Sequence, residues 1–283
     1  MTQSSGSLTV VGTGIRAPAQ ATIETASRIA SAEIVFTLVA DPLTEYWIRS
    51  LNAATESLAT LYEVGKPRWQ TYDAIVARIV GSVRAGSRVC AVAYGHPGVF
   101  AYPLHQAIRE VTAFGHAAEM LAGVSAEDCL FAELGVDPST FGCHSFEATD
   151  FLLYRRPIDT SASLILWQIG VIGEPSVKTQ RELWNRDGVA ALRDKLLMHY
   201  PPQHVVIVFE AARYSAGTST IEPVPLSALA QAPVTAISTL FIPRLSDPPY
   251  DEEMAHRLGI DAGALAWRAR SLSEPAIAVD RAW

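Results

Sequence analysis

The first 134 residues alternate short apolar runs with stretches of helical pattern, and no other feature of the chain restricts its fold as much. Leu8–Val11 is an apolar run closed by Gly12-Thr13-Gly14, the pattern of a buried strand entering a tight turn. Ala21–Ser31 has helical composition, with Thr22 or Thr25 near its start. Glu33–Val39 predicts a second strand, Asp41-Pro42 a turn, and Glu45–Asn52 a helix. Thr71–Ala85 predicts a stronger helix, because Ile75, Val76, Ile79, Val80 and Val83 form one stripe. Arg88–Ala93 is another strand, broken by Tyr94-Gly95-His96-Pro97-Gly98. Helix Tyr102–Phe114, strand Ala117–Leu121, the break Ala122-Gly123-Val124-Ser125 and helix Ala126–Leu134 complete the series.

Such alternation implies a mostly parallel sheet with crossover helices. Ligands of these sheets bind outside the carboxyl ends of the strands. The three glycine-bearing breaks fall at those ends: Gly12–Gly14, Gly95–Gly98 and Gly123–Ser125. A second unit begins near Cys143, with strands at Leu164–Ile169, Val205–Phe209 and Ser238–Ile242 and a long helix at Val177–Tyr200. The tail after Pro243 is proline-rich and weakly helical around Glu252–Leu258. The expected organisation is an N-terminal α/β lobe at 7–142, a C-terminal α/β lobe at 143–245 and a tail at 246–283.

Composition sets limits on function. Hydrophobic residues are 49 % and charged residues 18 % of 283, ample for a core and contrary to global disorder. A net charge of −7 offers no electrostatic footprint for nucleic acid or an anionic membrane, so neither partner is expected. Cys90, Cys129 and Cys143 are too few and too irregular for a disulfide framework. Met1–Gly6 is polar, with no apolar signal core, and no run of about 18 apolar residues exists, so a soluble cytoplasmic protein is expected. His105, His116, His144, His199 and His204 lack metal-ligand spacing, and no metal is expected.

Taken singly, the motifs are weak. Gly12-Thr13-Gly14 lacks the third glycine of the dinucleotide fingerprint, since position 17 is Ala, and a purely structural turn fits it equally. Gly65-Lys66 is no P-loop, because the upstream glycine and the following Ser/Thr are missing. Arg68 and Tyr72 fit a surface arginine stacked on an exposed tyrosine. Gln168 fits a capped buried amide, and His96 a loop-fixing hydrogen bond.

Their combination is far more specific. Val11-Gly12-Thr13-Gly14, Tyr94-Gly95-His96-Pro97-Gly98-Val99-Phe100 and Gly123-Val124-Ser125-Ala126-Glu127, in this order at strand ends, resemble the tetrapyrrole methylase family between about Ser7 and Pro243. The chain carries His96-Pro97 where many members have Asp-Pro, and Ala122 where proline is usual before Gly-Val-Ser. Gly65-Lys66-x-Arg68-x-x-Thr71-Tyr72, Ser125-Ala126-Glu127-Asp128-Cys129-Leu130-Phe131 and Ser145-Phe146-Glu147-Ala148 look like the borosin subgroup, which methylates backbone amides of a ribosomal peptide.

The resemblance implies a two-lobed fold, with a mostly parallel sheet in the first lobe and a mixed sheet in the second, and S-adenosylmethionine in the cleft. It implies that Tyr94, His96, Val99, Phe100, Ser125, Ala126 and Gln168 contact the cofactor, with Ser238 and Thr239 near the adenine. Arg68 and Tyr72 become candidates for stabilising the amide oxygen and accepting the proton, and Tyr62 for positioning or relay. No residue matches a second tyrosine of that subgroup's active site. About 40 residues follow Pro243, too few for clasp and core peptide together, so the chain resembles a split enzyme acting on a separate precursor, as a homodimer or in a heterotetramer with it. Methylation of a tetrapyrrole carbon, or a cofactor-binding partner without turnover, are the alternative functions.

Overall fold

A computed structural model describes residues 6–39, 41–176 and 185–260. Two compact units divide it. One comprises the described residues within Met1–Cys129, Gly173–Leu183 and Glu210–Thr220, and the other those within Leu130–Ile172, Trp184–Phe209 and Ile221–Trp283.

The first unit is a sheet of five strands: β1 (Ser7–Gly12), β2 (Ile34–Leu38), β3 (Thr55–Ser57), β4 (Arg88–Ala93) and β5 (Ala117–Met120). Their order is β3-β2-β4-β1-β5, and all pairings are parallel. The helices between them are α1 (Ile23–Ser31), α2 (Pro42–Leu51), α3 (Arg68–Arg84) and α4 (Tyr102–Ala113). Alternation along each strand assigns its faces. Leu8 and Val10, Phe36, and Val89, Ala91 and Ala93 pack with Ile75, Ile79 and Val83 of α3 and Leu104, Ala107 and Val111 of α4. Val11, Val35, Cys90 and Val92 face the other way, onto Ile29 of α1 and Ile48 of α2. With helices on both faces, the central strands read as continuous apolar runs, which is why they are legible in the sequence.

Helix starts follow side-chain capping. Thr22 accepts from the Thr25 N–H at 3.0 Å, and Asp41 Oδ1 accepts from Thr44 N–H at 2.8 Å with Pro42 as the first helical residue. Asp41-Pro42 is therefore the start of α2 rather than a separate turn. The helix expected from Thr71 begins three residues earlier, at Arg68, which brings Arg68 and Tyr72 onto one helix four residues apart.

Helix α5 (Ala126–Leu134) begins in the first unit and ends in the second, which continues through α6 (Pro138–Phe141), β6 (Cys143–Glu147), α7 (Ala148–Leu153), β7 (Ser163–Trp167), α8 (Arg186–Leu196), β8 (Val205–Glu210), β9 (Thr220–Pro225), β10 (Thr239–Ile242) and α9 (Glu252–Arg257). Its sheet has the order β6-β7-β10-β8-β9. β6 and β7 run parallel, while β10 is antiparallel to β7 and to β8, so the sheet is mixed, as expected. Leu164, Leu166, Val206, Val208, Leu240 and Ile242 form one core with Phe151 of α7 and Val189, Leu192 and Leu196 of α8. The expected long helix at Val177–Tyr200 is described only as α8, which ends at Leu196, and residues 177–184 lie outside the described residues. Strand β7 stops at Trp167 rather than Ile169, because Gln168 turns left-handed, with φ 59° and ψ 37°.

Candidate active site

The three glycine-bearing breaks follow β1, β4 and β5, which are neighbours in the first sheet, so the breaks meet at one edge of it. Gly14 and Gly95 exchange backbone hydrogen bonds, with the Gly14 N–H donating at 3.3 Å and the Gly95 N–H at 3.0 Å. Gly95 has φ +70°, which glycine adopts at little cost. A Cβ on Gly12 would overlap the Gly95 carbonyl oxygen and lie 2.7 Å from Pro97 Cδ, and one on Gly123 would lie 3.2 Å from the same oxygen. The glycines therefore let the three bends interlock, backbone on backbone.

Around this knot lie the residues expected to hold a cofactor. His96 Nδ1 accepts from the Gly98 N–H at 3.0 Å, so the loop-fixing bond weighed for this residue is present. Burial, the largest influence, raises the Tyr94 phenol above its ordinary value, with Arg213 opposing. Val99, Phe100 and Tyr102 are exposed, and Phe100 holds φ 52°. Ser125 and Asp128 close a reciprocal cap at the start of α5. The Ser125 N–H and hydroxyl donate to Asp128 Oδ2 at 2.6 and 2.7 Å, and Asp128 N–H donates back to Ser125 Oγ at 3.2 Å. Both donors of Ser125 are thus engaged by Asp128, and the intrahelically orphaned N–H groups of Ala126 and Glu127 stand next in line. The Ser-x-x-Asp spacing made this cap legible, but Asp128 was not singled out.

In the second unit, Gln168 and Ser238 are adjacent, since Ile169 N–H donates to Ser238 O at 3.1 Å. Ser238 is fully buried and its Oγ accepts from Thr235 N–H at 2.7 Å, while Thr239 is buried in β10 beside Phe209. Among the described residues, Phe100 and Gln168 are the two non-glycine residues with positive φ. Left-handed backbone at such residues costs on the order of 1–3 kcal/mol and concentrates at functional sites.

The candidate catalytic residues gather at the N-terminus of α3. Tyr62 and Tyr72 are half-buried against the core that α3 shares with α4, and Tyr72 packs on Tyr102 with ring centroids 6.0 Å apart. Arg68 Nε is buried and, among the described residues, has no hydrogen-bond partner. The Arg68 N–H donates to Pro175 O at 3.3 Å. α3 has no side-chain cap and no acidic residue in its first turn. A cation at the positive end of a helix dipole is unfavourable for folding, so Arg68 and that helix end together present unbalanced positive charge.

Burial, then the neighbouring Tyr72 charge, pushes the Tyr62 phenol up to about 12, with Arg68 opposing. Tyr62 keeps its proton throughout the neutral range, so its phenol is suited to donating a hydrogen bond rather than to acting as a base. The raised value also makes folding alkali-sensitive. Below about pH 10 both states are protonated, but between about 10 and 12 the unfolded chain releases a proton that the folded chain retains, so stability falls as pH rises through that window. Denaturant titrations between pH 9 and 12 should show a shallower loss for Tyr62→Phe than for the parent, and parallel curves would contradict the assignment.

Among the described residues, no group of three His, Cys, Asp or Glu side chains is placed to hold a metal ion, and no helix is long and apolar enough to cross a membrane.

This arrangement of sheets, with the interlocked bends, defines a class: the chain belongs to the tetrapyrrole (corrin/porphyrin) methylases, whose family profile matches residues 7–229. Solved structures agree on the fold. Uroporphyrin-III C-methyltransferase from Thermus thermophilus superposes with TM-score 0.60 at 16 % identity over 84 % of this chain and 94 % of that one. A cobalt precorrin-4 methyltransferase of cobalamin biosynthesis gives TM-score 0.59 at 15 % identity over 84 % and 94 %.

Within the family, the similar sequences are of a particular kind. The methyltransferase/ribosomally synthesized cyclic peptide gymnopeptides precursor of Gymnopus fusipes is 40 % identical over 87 % of this chain and 60 % of its own length. The methyltransferase/ribosomally synthesized type I borosin cyclic peptide precursor of Coprinopsis marcescibilis is 38 % identical over 84 % and 62 %. The type III borosin precursor protein of Anomoporia bombycina is 39 % identical over 90 % and 30 %. The chain thus spans under two thirds of the length of these relatives.

Proposed function

We propose that this protein is an S-adenosylmethionine-dependent methyltransferase that methylates backbone amide nitrogens of a ribosomally made peptide. The observation that carries the reading is the buried Nε of Arg68, without a hydrogen-bond partner among the described residues, at the uncapped N-terminus of α3. An amide nitrogen shares its lone pair with the carbonyl and is a poor nucleophile until its proton leaves, when negative charge gathers on the oxygen. A guanidinium at a positive helix end, its Nε already withdrawn from water, is preorganised for that oxygen. Tyr72, one turn along the same face, is the candidate proton acceptor, and Tyr62, holding its proton, is a donor that positions the carbonyl.

The residues present suit the methyl donor. The first-turn N–H groups of α5, on Ala126 and Glu127, match a carboxylate. Exposed Val99 and Phe100 offer apolar surface that a ligand would cover, and the left-handed Phe100 and Gln168 are the strained positions a binding site tends to hold. Tyr94, His96, Ser125, Ser238 and Thr239 complete the proposed set. When bound, the donor supplies an electrophilic methyl group on a sulfonium centre and departs as a neutral thioether.

Support for a peptide acceptor comes from the relatives, whose names join a methyltransferase to a cyclic peptide precursor. We further propose a cytoplasmic homodimer with a separate precursor as acceptor, in a heterotetramer when two precursor chains are held.

The experiment is co-expression with a precursor peptide followed by mass spectrometry of peptide and enzyme chain. Methyl increments localised by fragmentation to backbone amides of the separate peptide are the expected result. Increments on the enzyme chain itself would replace the separate acceptor with an internal one. Donor turnover on a tetrapyrrole alone would overturn the peptide reading, and donor binding without turnover on either would leave a binding protein.

A further inference from the structure

The bend after β4 contains one residue whose backbone is gripped from both sides, through its N–H and through its carbonyl. Gly98 donates its N–H to His96 Nδ1 at 3.0 Å, and its carbonyl oxygen lies 2.9 Å from His105 Nε2. The second contact reaches across seven residues. Side chains of a helix lean toward its N-terminus, so His105, in the first turn of α4, points back over Ala101 and onto the bend. Space at Gly98 is closed on three sides: a Cβ there would lie 2.8 Å from Met120 Sδ, 3.2 Å from His96 Cε1 and 3.4 Å from His105 Nε2.

Hydrogen-bond direction assigns the protons. A backbone N–H can only donate, so Nδ1 of His96 is bare and the neutral ring carries its hydrogen on Nε2. A carbonyl can only accept, so Nε2 of His105 carries a hydrogen. His96 therefore presents an N–H donor beyond the bend and has no free basic nitrogen. Two residues past Gly98 comes Phe100, whose left-handed backbone needs its surroundings to hold it.

We propose that His105 is a positioning residue for the methyl-donor site: by holding the Gly98 carbonyl it fixes the 94–100 bend, the donor-bearing tautomer of His96 and the left-handed Phe100. The inference rests on the reading of that bend as part of the donor site. His105 is exposed on α4 and contacts the bend through this one polar link, so its replacement should spare the core.

The test compares His105→Phe, which keeps a flat ring without the N–H, with His105→Gln, whose amide nitrogen can reach the same oxygen. Affinity for S-adenosylhomocysteine by calorimetry should weaken about fivefold to tenfold in His105→Phe and return to within about twofold of the parent in His105→Gln. The KM for the methyl donor should rise by the same factor while kcat stays within about twofold, a split that general destabilisation would not produce. A readout without any ligand accompanies this. Hydrogen exchange at the Gly98 amide should quicken about tenfold in His105→Phe and not in His105→Gln. Parent-like affinity and exchange in His105→Phe, or equal loss in both variants, overturns the proposal. Failure of the parent to bind S-adenosylhomocysteine would instead strike the donor-site reading, with exchange at Gly98 still deciding whether His105 holds the bend.

Discussion

Arg68→Gln should reduce the rate of methyl transfer by about two to three orders of magnitude, the usual consequence of removing one preorganised donor at a developing oxyanion. The substituted side chain keeps an amide donor but loses the permanent charge. The loss should fall on kcat, because charge on the amide oxygen exists only after the proton has begun to leave. Arg68→Lys should recover little, since an ammonium is a point charge that cannot reproduce the forked N–H groups. Stability should hold or rise. Arg68 makes no ion pair among the described residues, and its cation stands at the positive end of α3, where folding gains nothing from it. Single-turnover assays with denaturant melts on the same samples check both halves. A variant with parent-like kcat, or one that lost activity only by unfolding, would remove Arg68 from the catalytic reading.

A second large effect is expected at Gly12, this time on the fold. Gly12→Ala should cost about 3 kcal/mol or more, because its Cβ would overlap the Gly95 carbonyl and press on Pro97 Cδ, both in the bend after β4 that the Gly14–Gly95 hydrogen bonds hold in place. The knot of bends cannot open without breaking the Gly14–Gly95 hydrogen bonds, so donor affinity should fall together with stability. Gly81→Ala is the matched control. Gly81 lies within α3, and nothing would approach its Cβ within 4 Å, so alanine there should stabilise by about 0.5–1 kcal/mol. Chemical denaturation of the two variants checks the pair. A Gly12→Ala protein as stable as the parent would mean that the bends do not interlock as described.

Much of the fold was readable along the chain because the central strands of a parallel sheet are buried on both faces. β1, β2 and β4 show as unbroken apolar runs, and the stripe on α3 shows the face it buries. Of the edge strands, β5 was expected at Ala117–Leu121, but the other three carry no such signal. β3 is the polar tripeptide Thr55–Ser57, β6 is Cys143–Glu147, and β9 is largely exposed and contains Pro223, so none of the three was anticipated. The candidate site divides in the same way. Glycine placement at strand ends announced the three bends, and Ser-x-x-Asp spacing the cap that engages Ser125, whereas the grip of His105 on Gly98 and the left-handed turn at Gln168 had no counterpart in spacing or composition.

Local pattern by itself determined the buried strands, the longer helices of the first unit and the three glycine bends, because periodicity and backbone freedom belong to neighbouring residues. Only the tertiary structure decided that the bends touch, that the Arg68 Nε is buried with no partner among the described residues and that burial pushes the Tyr62 phenol up to about 12. Those properties depend on burial and on groups far apart in the chain, and both arise only when the sheet orders β4, β1 and β5 side by side.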